Sequence, residues 1–226
     1  MIDDINFLLV GNSRLHWAEN LQTKYKFFHT QKKNNVPQNI NLNNLIWASV
    51  GKLPDLSLKQ ENEISTQDIK LNNLPDHFGV DRALACLEAL KIIENPSRKE
   101  LLIADFGTTL SLTKLTAQGS IIGGQITPGF QTQLRSMEKY TKNLKAPKKY
   151  DIPVQDFLIN TEDSMLKGVS NSLMGVINLS FNPSQDILIM CGGDSELMGS
   201  LLKQKKEEII IAPNLVMQGM ITHFNH

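Results

Sequence analysis

One carboxylate near the middle of the chain stands where phosphate and cation chemistry is possible. Asp105 follows a continuous apolar run at residues 101–104, typical of a buried strand, and precedes the turn FGTT at residues 106–109. Glycine lets a ligand approach the backbone, N–H groups and hydroxyls donate to phosphoryl oxygens, and a carboxylate can face a cation. The same pattern also fits a polar turn that closes a core hairpin, so both interpretations remain open.

A similar turn lies near the start of the chain. Residues 7–10 are apolar and are followed by Gly11, Asn12 and Ser13, so Gly11 and Gly107 both follow a strand and precede a hydroxyl. The offset between the two glycines is 96 residues, which is the size of a domain. The sequence therefore predicts a duplicated domain with two phosphate-facing hairpins on either side of one cleft.

A second acidic candidate, Asp81, stands just before an amphipathic helix predicted at residues 83–93. An aspartate in this place often serves only as a helix N-cap, and that alternative stays open. Arg82 is harder to explain as a structural residue, because the helix dipole disfavours a cation in the first turn. We therefore expect Arg82 to have an anionic partner.

These residues are positioned by strands and helices that alternate in both halves, which predicts the α/β class. A basic helix is predicted at 130–149, whose cations either face solvent or contact nucleotide phosphates, and a long helix is predicted to be capped by Asn160 or Thr161. The stretch at 31–44 is predicted to be a surface loop. The predicted strands lie at 7–10, 14–18, 45–50, 64–71, 101–104, 110–115, 187–190 and 209–212. A hairpin turn at Gln118-Gly119 leads from 110–115 into a further strand at 121–122, and further helices begin near 195 and 213.

Composition excludes several classes of function. The chain has 226 residues with 23 basic and 23 acidic side chains, so no overall field would attract nucleic acid or an anionic membrane. The start lacks the features of a signal peptide, no apolar run reaches membrane-spanning length, and two cysteines build no disulfide framework. None of the five histidines has a partner at metal-ligand spacing. We expect a cytoplasmic protein without nucleic-acid or membrane partners.

Eight segments, in order along the chain, resemble the type III pantothenate kinases of the sugar kinase and actin-like ATPase superfamily. They are GNSRLHW, WASV, FGVDRALA, DFGTT, GGQITPG, NTEDSMLKG, CGGDSEL and PNLVMQGM. The resemblance implies two ribonuclease-H-like domains, at 1–98 and 99–226, around a central cleft, and a homodimer. It also implies transfer of the γ-phosphoryl group of ATP to pantothenate, the first step of coenzyme A biosynthesis, with Mg²⁺ and K⁺ or NH₄⁺.

The resemblance also assigns roles to individual residues. Asp81 matches the catalytic base, Asp105 the monovalent-cation ligand, Thr108 a nucleotide contact and Thr161 a substrate contact. The pantothenate loop corresponds to Gly79, Val80, Asp81 and Arg82, and the first ATP-phosphate loop to Gly11, Asn12, Ser13 and Arg14.

The sequence departs from the family pattern at three positions. Leu9 and Thr113 stand where the family usually has aspartates, and Asn72 stands where a tyrosine is common. We therefore expect Mg²⁺ to enter with the nucleotide, held mainly by its phosphates and water. Two alternatives remain open: a binding or regulatory protein with a transcription accessory role, and a kinase for another small alcohol.

Overall fold

The computed structural model describes residues 5–32, 36–93, 99–202 and 209–225. The strands are β1 (Asn6–Val10), β2 (Arg14–Asn20), β3 (Tyr25–Gln31), β4 (Leu45–Ser49), β5 (Glu100–Phe106), β6 (Thr109–Leu115), β7 (Ile121–Pro128), β8 (Asp186–Cys191) and β9 (Ile209–Ile211). The helices are α1 (Val80–Ile92), α2 (Phe130–Tyr140), α3 (Thr161–Ser180), α4 (Ser195–Gly199) and α5 (Leu215–Phe224). Short 3₁₀ helices span Leu42–Asn44, Gln60–Asn62 and Thr66–Asp68. Within these ranges no helix is both long and apolar enough to cross a membrane.

The first compact unit contains a four-stranded sheet in the order β3-β2-β1-β4. Strand β1 is antiparallel to β2 and parallel to β4, so the sheet is mixed. One face carries an apolar cluster that includes two buried tryptophans, Trp17 and Trp47. Helices α1 and α5 pack together, and a methyl group on Gly219 would lie 2.2 Å from the Leu84 carbonyl oxygen. This close crossing requires glycine in α5.

The second unit contains a five-stranded sheet in the order β7-β6-β5-β8-β9. Strand β8 is parallel to both β5 and β9, and the short turn after Phe106 joins β5 to its neighbour β6. Its core combines residues of the sheet with buried side chains of α2 and α3. Met165, Val169 and Leu173, which share one apolar face of α3, belong to this core, so this face of the helix packs inside the unit.

The two sheets repeat one arrangement, in which a three-stranded meander is extended by a parallel strand beside its first strand. The predicted α/β class is therefore confirmed, and the shared order supports a duplicated domain. The compact units are residues 1–97, 115–122 and 214–226, and residues 98–114 and 123–213. The domain boundary between residues 98 and 99 stays a prediction.

Three sequence-based expectations about elements differ from the structure. The region 64–71 was expected to add a strand, but Ser65 and Asp68 form a capping box around a 3₁₀ helix there. The helix expected at 130–149 ends at Tyr140, because the backbone turns extended at Thr141, whose hydroxyl and N–H both donate to the Met137 carbonyl. The loop expected at 31–44 includes the last residue of β3 and a 3₁₀ helix, and its residues 33–35 lie outside the described ranges.

Candidate active site

The predicted site residues fall into two groups, one in each compact unit. Gly11 to Arg14 and Gly79 to Arg82 belong to the first unit. Asp105, Thr108 and Thr161 belong to the second unit. Each group has its own geometry.

In the first unit, the β1–β2 turn is a tight backbone structure with exposed polar side chains. The Gly11 N–H donates to the Arg14 carbonyl at 3.0 Å, and Asn12 and Ser13 are exposed between them. A methyl group on Gly51 would lie 2.3 Å from the Gly11 carbonyl oxygen, so the chain after β4 passes directly against the turn. This arrangement presents an amide and a hydroxyl side chain where a phosphate group can approach.

Basic and imidazole side chains surround the same turn. The Arg14 guanidinium donates to His29 Nε2 at 3.2 Å, and His16 and His29 face each other across β2 and β3. Burial, His29 and the Arg14 charge together lower the pKa of His16 to about 4. Burial and the Arg14 charge also lower the pKa of His29. Both imidazoles are therefore uncharged at neutral pH.

Asp81 lies in the first turn of α1, and the N-cap position belongs to Gly79. Its Oδ1 accepts the Arg82 N–H at 2.7 Å and lies 2.6 Å from where a methyl group on Gly79 would stand. Burial raises the pKa of Asp81, although the Arg82 N–H and guanidinium partly oppose that effect. The N-cap alternative for Asp81 is therefore wrong, and its carboxyl group is a stronger base than an ordinary aspartate.

Arg82 is held by residues that come before the helix. Its guanidinium carbon lies 4.1 Å from the centre of the Phe78 ring, which is a cation–π contact. The buried Thr66 hydroxyl donates to the Phe78 carbonyl at 2.7 Å, which ties this loop to the 3₁₀ helix at Thr66–Asp68. Arg82 thus has an aromatic support, which orients its planar, hydrogen-bonding end.

In the second unit, Asp105 is half-buried at the end of β5 and pairs in register with Cys191 of β8. Its Oδ1 lies 2.3 Å from the position that a methyl group on Gly192 would take. Gly192 has a φ of +84°, a left-handed conformation that glycine adopts without strain. The two turns at the carboxyl ends of β5 and β8 therefore meet at the Asp105 carboxylate.

Thr108 lies on the exposed β5–β6 turn and is held from the start of α2. Its carbonyl accepts the Gly129 N–H at 3.0 Å and the Thr132 hydroxyl at 2.6 Å. A methyl group on Gly129 would lie 2.2 Å from the Gly107 carbonyl oxygen. The shape of this turn thus depends on glycine at position 129, and the side chain of Thr108 is exposed.

Thr161 is the first residue of α3, and the Asn160 side chain caps that helix by accepting the Asp163 N–H at 3.0 Å. Of the two predicted residues, Asn160 is therefore the N-cap of α3. The exposed Thr161 side chain lines a cavity of about 490 Å³. The other lining residues are Gln133, Ser136, Met137, Leu144, Ser164, Met165, Gly168 and Val169.

The three departures from the expected pattern have clear structural settings. Leu9 is 7% exposed in β1 and Thr113 is 2% exposed in β6, so neither supplies a carboxylate. Asn72 accepts the Ile121 N–H on its carbonyl at 3.0 Å. Within the described residues, no group of three or more His, Cys, Asp or Glu side chains could hold a metal ion. The donor set therefore does not fit a divalent ion caged by the protein, and it leaves room for one carried by a bound phosphate ligand.

Sequence reasoning missed the residues that reach the site from outside the motifs. The sequence pattern marks Phe78 only as part of a matching segment and assigns no role to Thr66, Lys32 or His29. The one available signal was the aromatic residue four positions before Arg82, which is close enough in sequence for the guanidinium to reach back over its ring. The contacts of Lys32 depend on the pairing of β2 with β3, which the sequence did not reveal.

Comparison of the sequence with known proteins identifies related chains. The sequence profile of the type III pantothenate kinase family matches residues 34–182. The type III pantothenate kinase of Christiangramia forsetii is 30% identical over 220 residues, covering 92% of this chain and 84% of that protein.

Two solved structures share the fold at low sequence identity. A Campylobacter jejuni protein assigned to the Baf family of transcriptional activators superposes with a TM-score of 0.66 and 17% identity, and the match covers 98% of both chains. The ADPNP-bound activator of 2-hydroxyisocaproyl-CoA dehydratase from Clostridium difficile gives a TM-score of 0.51 and 12% identity, over 98% of this chain and 97% of that one.

The two mixed sheets share a three-stranded meander extended by a parallel strand, and each has a glycine turn after its first strand. Together with the solved structures of the same fold, they define an α/β protein of the actin-like ATPase fold. The profile match and the identity to the C. forsetii protein narrow this class to one family. The chain belongs to the type III pantothenate kinase family.

Proposed function

We propose that this protein transfers the γ-phosphoryl group of ATP to pantothenate and produces 4′-phosphopantothenate, the first step of coenzyme A biosynthesis. The observation that carries the proposal is the environment of Asp81. A half-buried carboxylate with a raised pKa begins a helix beside a supported arginine, inside a chain that belongs to this family.

Asp81 is the proposed catalytic base. Phosphoryl transfer proceeds through a loose transition state, so the attacking alcohol gives up its proton late. Asp81 therefore needs to orient the hydroxyl and accept its proton as the new P–O bond forms. Burial favours this role, because the raised pKa brings the carboxyl group closer to the proton affinity that general-base catalysis requires.

Arg82 is proposed to bind the carboxylate of pantothenate. Its guanidinium can form two parallel hydrogen bonds to a carboxylate, and the Phe78 ring restricts its orientation. Gly79 and Val80 complete the proposed substrate loop. Position 79 requires glycine, since any side chain there would displace Asp81 Oδ1.

Each unit has a glycine turn that is proposed to bind nucleotide. Gly11, Asn12, Ser13 and Arg14 would bind phosphate groups in the first unit. In the second unit, Thr108 would contact the nucleotide and Asp105 would hold K⁺ or NH₄⁺, while Thr161 would contact substrate. A divalent ion bound to ATP would neutralise phosphate charge.

A homodimer is also proposed, with support from the surface of the second unit. Val154, Phe157 and Ile159 lie between α2 and α3 and are 92% or more exposed. Three large apolar side chains within six residues are typical of an interaction surface. The buried Met165, Val169 and Leu173 cannot supply this interface, because they belong to the core of their own unit.

The test is ADP release from ATP, with and without pantothenate, by the full chain in Mg²⁺ and K⁺. We expect release to depend on pantothenate and mass spectrometry to detect 4′-phosphopantothenate. Substitution of other small alcohols for pantothenate decides whether the enzyme is a kinase of a different specificity. ADP release with none of these acceptors would contradict the proposal.

A regulatory protein is the second candidate, favoured by the fold shared with the C. jejuni protein assigned to the Baf activators and by the apolar residue at position 9. This function predicts nucleotide binding without turnover. Retention of Asp81 and Arg82 in one supported loop favours the kinase.

A further inference from the structure

Lys32, which follows β3, places its ammonium group beside the β1–β2 turn. A methyl group on Gly51 would lie 2.9 Å from the Lys32 Nζ and 2.3 Å from the Gly11 carbonyl oxygen. Both atoms are therefore beside the same point. The ammonium donates to the Lys52 carbonyl at 2.8 Å. An ammonium has three N–H donors, so this contact leaves capacity for a further acceptor.

The charge around this turn is positive and unbalanced. Arg14 contributes a second permanent cation, while His16 and His29 are neutral because burial and Arg14 lower their pKa values. In the described part of the chain, no carboxylate forms an ion pair with Arg14 or Lys32. Two cations without a carboxylate attract an anion and disfavour a metal ion.

The neighbouring strand strengthens this preference. Leu9 of β1 pairs in register with His16, which in turn pairs with His29. This row across the sheet carries a buried alkyl group and two neutral imidazoles, so it offers no carboxylate oxygen to Mg²⁺. Exposed Asn12 and Ser13 complete the turn with polar groups.

We propose that Lys32, together with Arg14, binds the terminal phosphate groups of a nucleoside triphosphate at the β1–β2 turn, and that this contact does not require Mg²⁺. The proposal rests on the proposed kinase function for the identity of its ligand. Lys32 would then be a nucleotide-binding residue contributed by the segment after β3. The fixed cations of Lys32 and Arg14 would neutralise phosphate charge at this turn, as a metal ion bound to the strand otherwise does.

The experiment is calorimetric titration of the full chain with ATP and, separately, with inorganic tripolyphosphate, in EDTA at constant ionic strength. Wild type is compared with Lys32→Met, Lys32→Arg and the control Lys24→Met. Lys24 is exposed in the β2–β3 turn, at the opposite end of this hairpin from Lys32, so its substitution removes the same charge away from the proposed site. We expect Lys32→Met to weaken both ligands about tenfold, Lys24→Met less than about twofold, and Lys32→Arg to retain most of the affinity.

Equal weakening by Lys32→Met and Lys24→Met would overturn the proposal, and so would wild-type binding that appears only when Mg²⁺ is added. Tripolyphosphate binding that depends on Lys32, without phosphorylation of pantothenate, would support the site and contradict the kinase function. Phosphorylation by the wild type combined with unchanged nucleotide affinity in Lys32→Met would contradict the site alone.

Discussion

Asp81 differs from an ordinary surface aspartate in two respects that oppose each other. Burial destabilises its charged form and raises its pKa, whereas the Arg82 N–H and guanidinium stabilise that form. Burial is the larger effect, so the carboxyl group titrates above the usual range of about 3.9. A carboxyl group in this balance accepts a proton more readily than that of an exposed aspartate.

Replacement of Asp81 by asparagine tests this role directly. The amide side chain would keep the size of the aspartate and an acceptor for the Arg82 N–H, but it would remove the proton acceptor. We expect turnover lower by about a hundredfold or more, with an unchanged midpoint in chemical denaturation. In the wild type, the rate should fall as pH drops through the raised pKa of Asp81, because the protonated form is not a base.

Near-normal turnover in Asp81→Asn would reduce the carboxylate to a contact for the helix N-terminus. Glu88 of the same helix offers a comparison: Thr222 donates to it and Lys91 donates to Thr222, which ties α1 to α5. Glu88→Gln should lower stability and leave the turnover of folded protein close to normal.

Among the elements, the β8–α4 turn contains two adjacent glycines with different requirements. Gly192 has a φ of +84°, and a methyl group there would lie 2.3 Å from Asp105 Oδ1 and 2.7 Å from the Phe106 carbonyl oxygen. A methyl group on Gly193 would meet nothing within 4 Å. The sequence does not distinguish the two glycines, whereas the structure shows that position 192 requires glycine and position 193 has room for a side chain.

We expect Gly192→Ala to destabilise the protein by about 1–3 kcal/mol and to displace Asp105, because both backbone strain and a steric clash result. Gly193→Ala, the matched control, should change stability by less than about 1 kcal/mol. Urea denaturation measures the first effect, and the K⁺ dependence of turnover reports the second. Equal behaviour of the two variants would mean that the turn relaxes around Gly192.

The sequence predicted the elements that have a strong local pattern. These predicted features are the two glycine turns, the α/β class and the helix after Asp81, because apolar runs and turn residues mark them locally in the sequence. Strand β3 was missed, since its exposed edge gives it a mixed pattern of polar and apolar residues. The end of α2 was also missed, because the backbone turns extended at Thr141 without a glycine or proline to mark the change.

From the sequence, only those residues of the candidate site that lie inside the matching segments could be predicted. The resemblance placed Asp81, Asp105 and Thr161 in roles that remain predictions, and it did so from short matching segments. It did not reveal that Gly79 is the cap of α1 or that Phe78 supports Arg82, since both follow from the path of the loop. Lys32 reaches Lys52 across 20 positions of sequence, a contact set by strand pairing.

At the scale of the whole molecule, the proposed homodimer depends on an apolar segment of the second unit. Phe157 is 98% exposed and is flanked by exposed Val154 and Ile159. We expect Phe157→Glu to convert the dimer to a monomer in light scattering at micromolar concentration, because a buried interface would then contain an unpaired charge. The control is Leu53→Glu, at an exposed apolar residue of the first unit, which should leave the mass unchanged.

A wild-type protein that is active as a monomer at assay concentration would end the dimer proposal. A dimer that survives Phe157→Glu would place the interface on another surface. Neither result would bear on Asp81, whose assignment depends on turnover measurements alone.

The packing of α5 against α1 has a consequence for biosynthesis on the ribosome. α1 carries Asp81 and is complete at Ile92, but its partner helix begins only at Leu215. At translation rates of about 5–20 residues per second, the nascent chain must wait roughly 6–25 seconds before that partner is made. During this interval the small apolar face of α1, including Ala85 and Ala89, has no α5 to cover it. The helix that carries the proposed catalytic base therefore reaches its native packing after translation of the second unit, and this delay makes it a candidate client for chaperones.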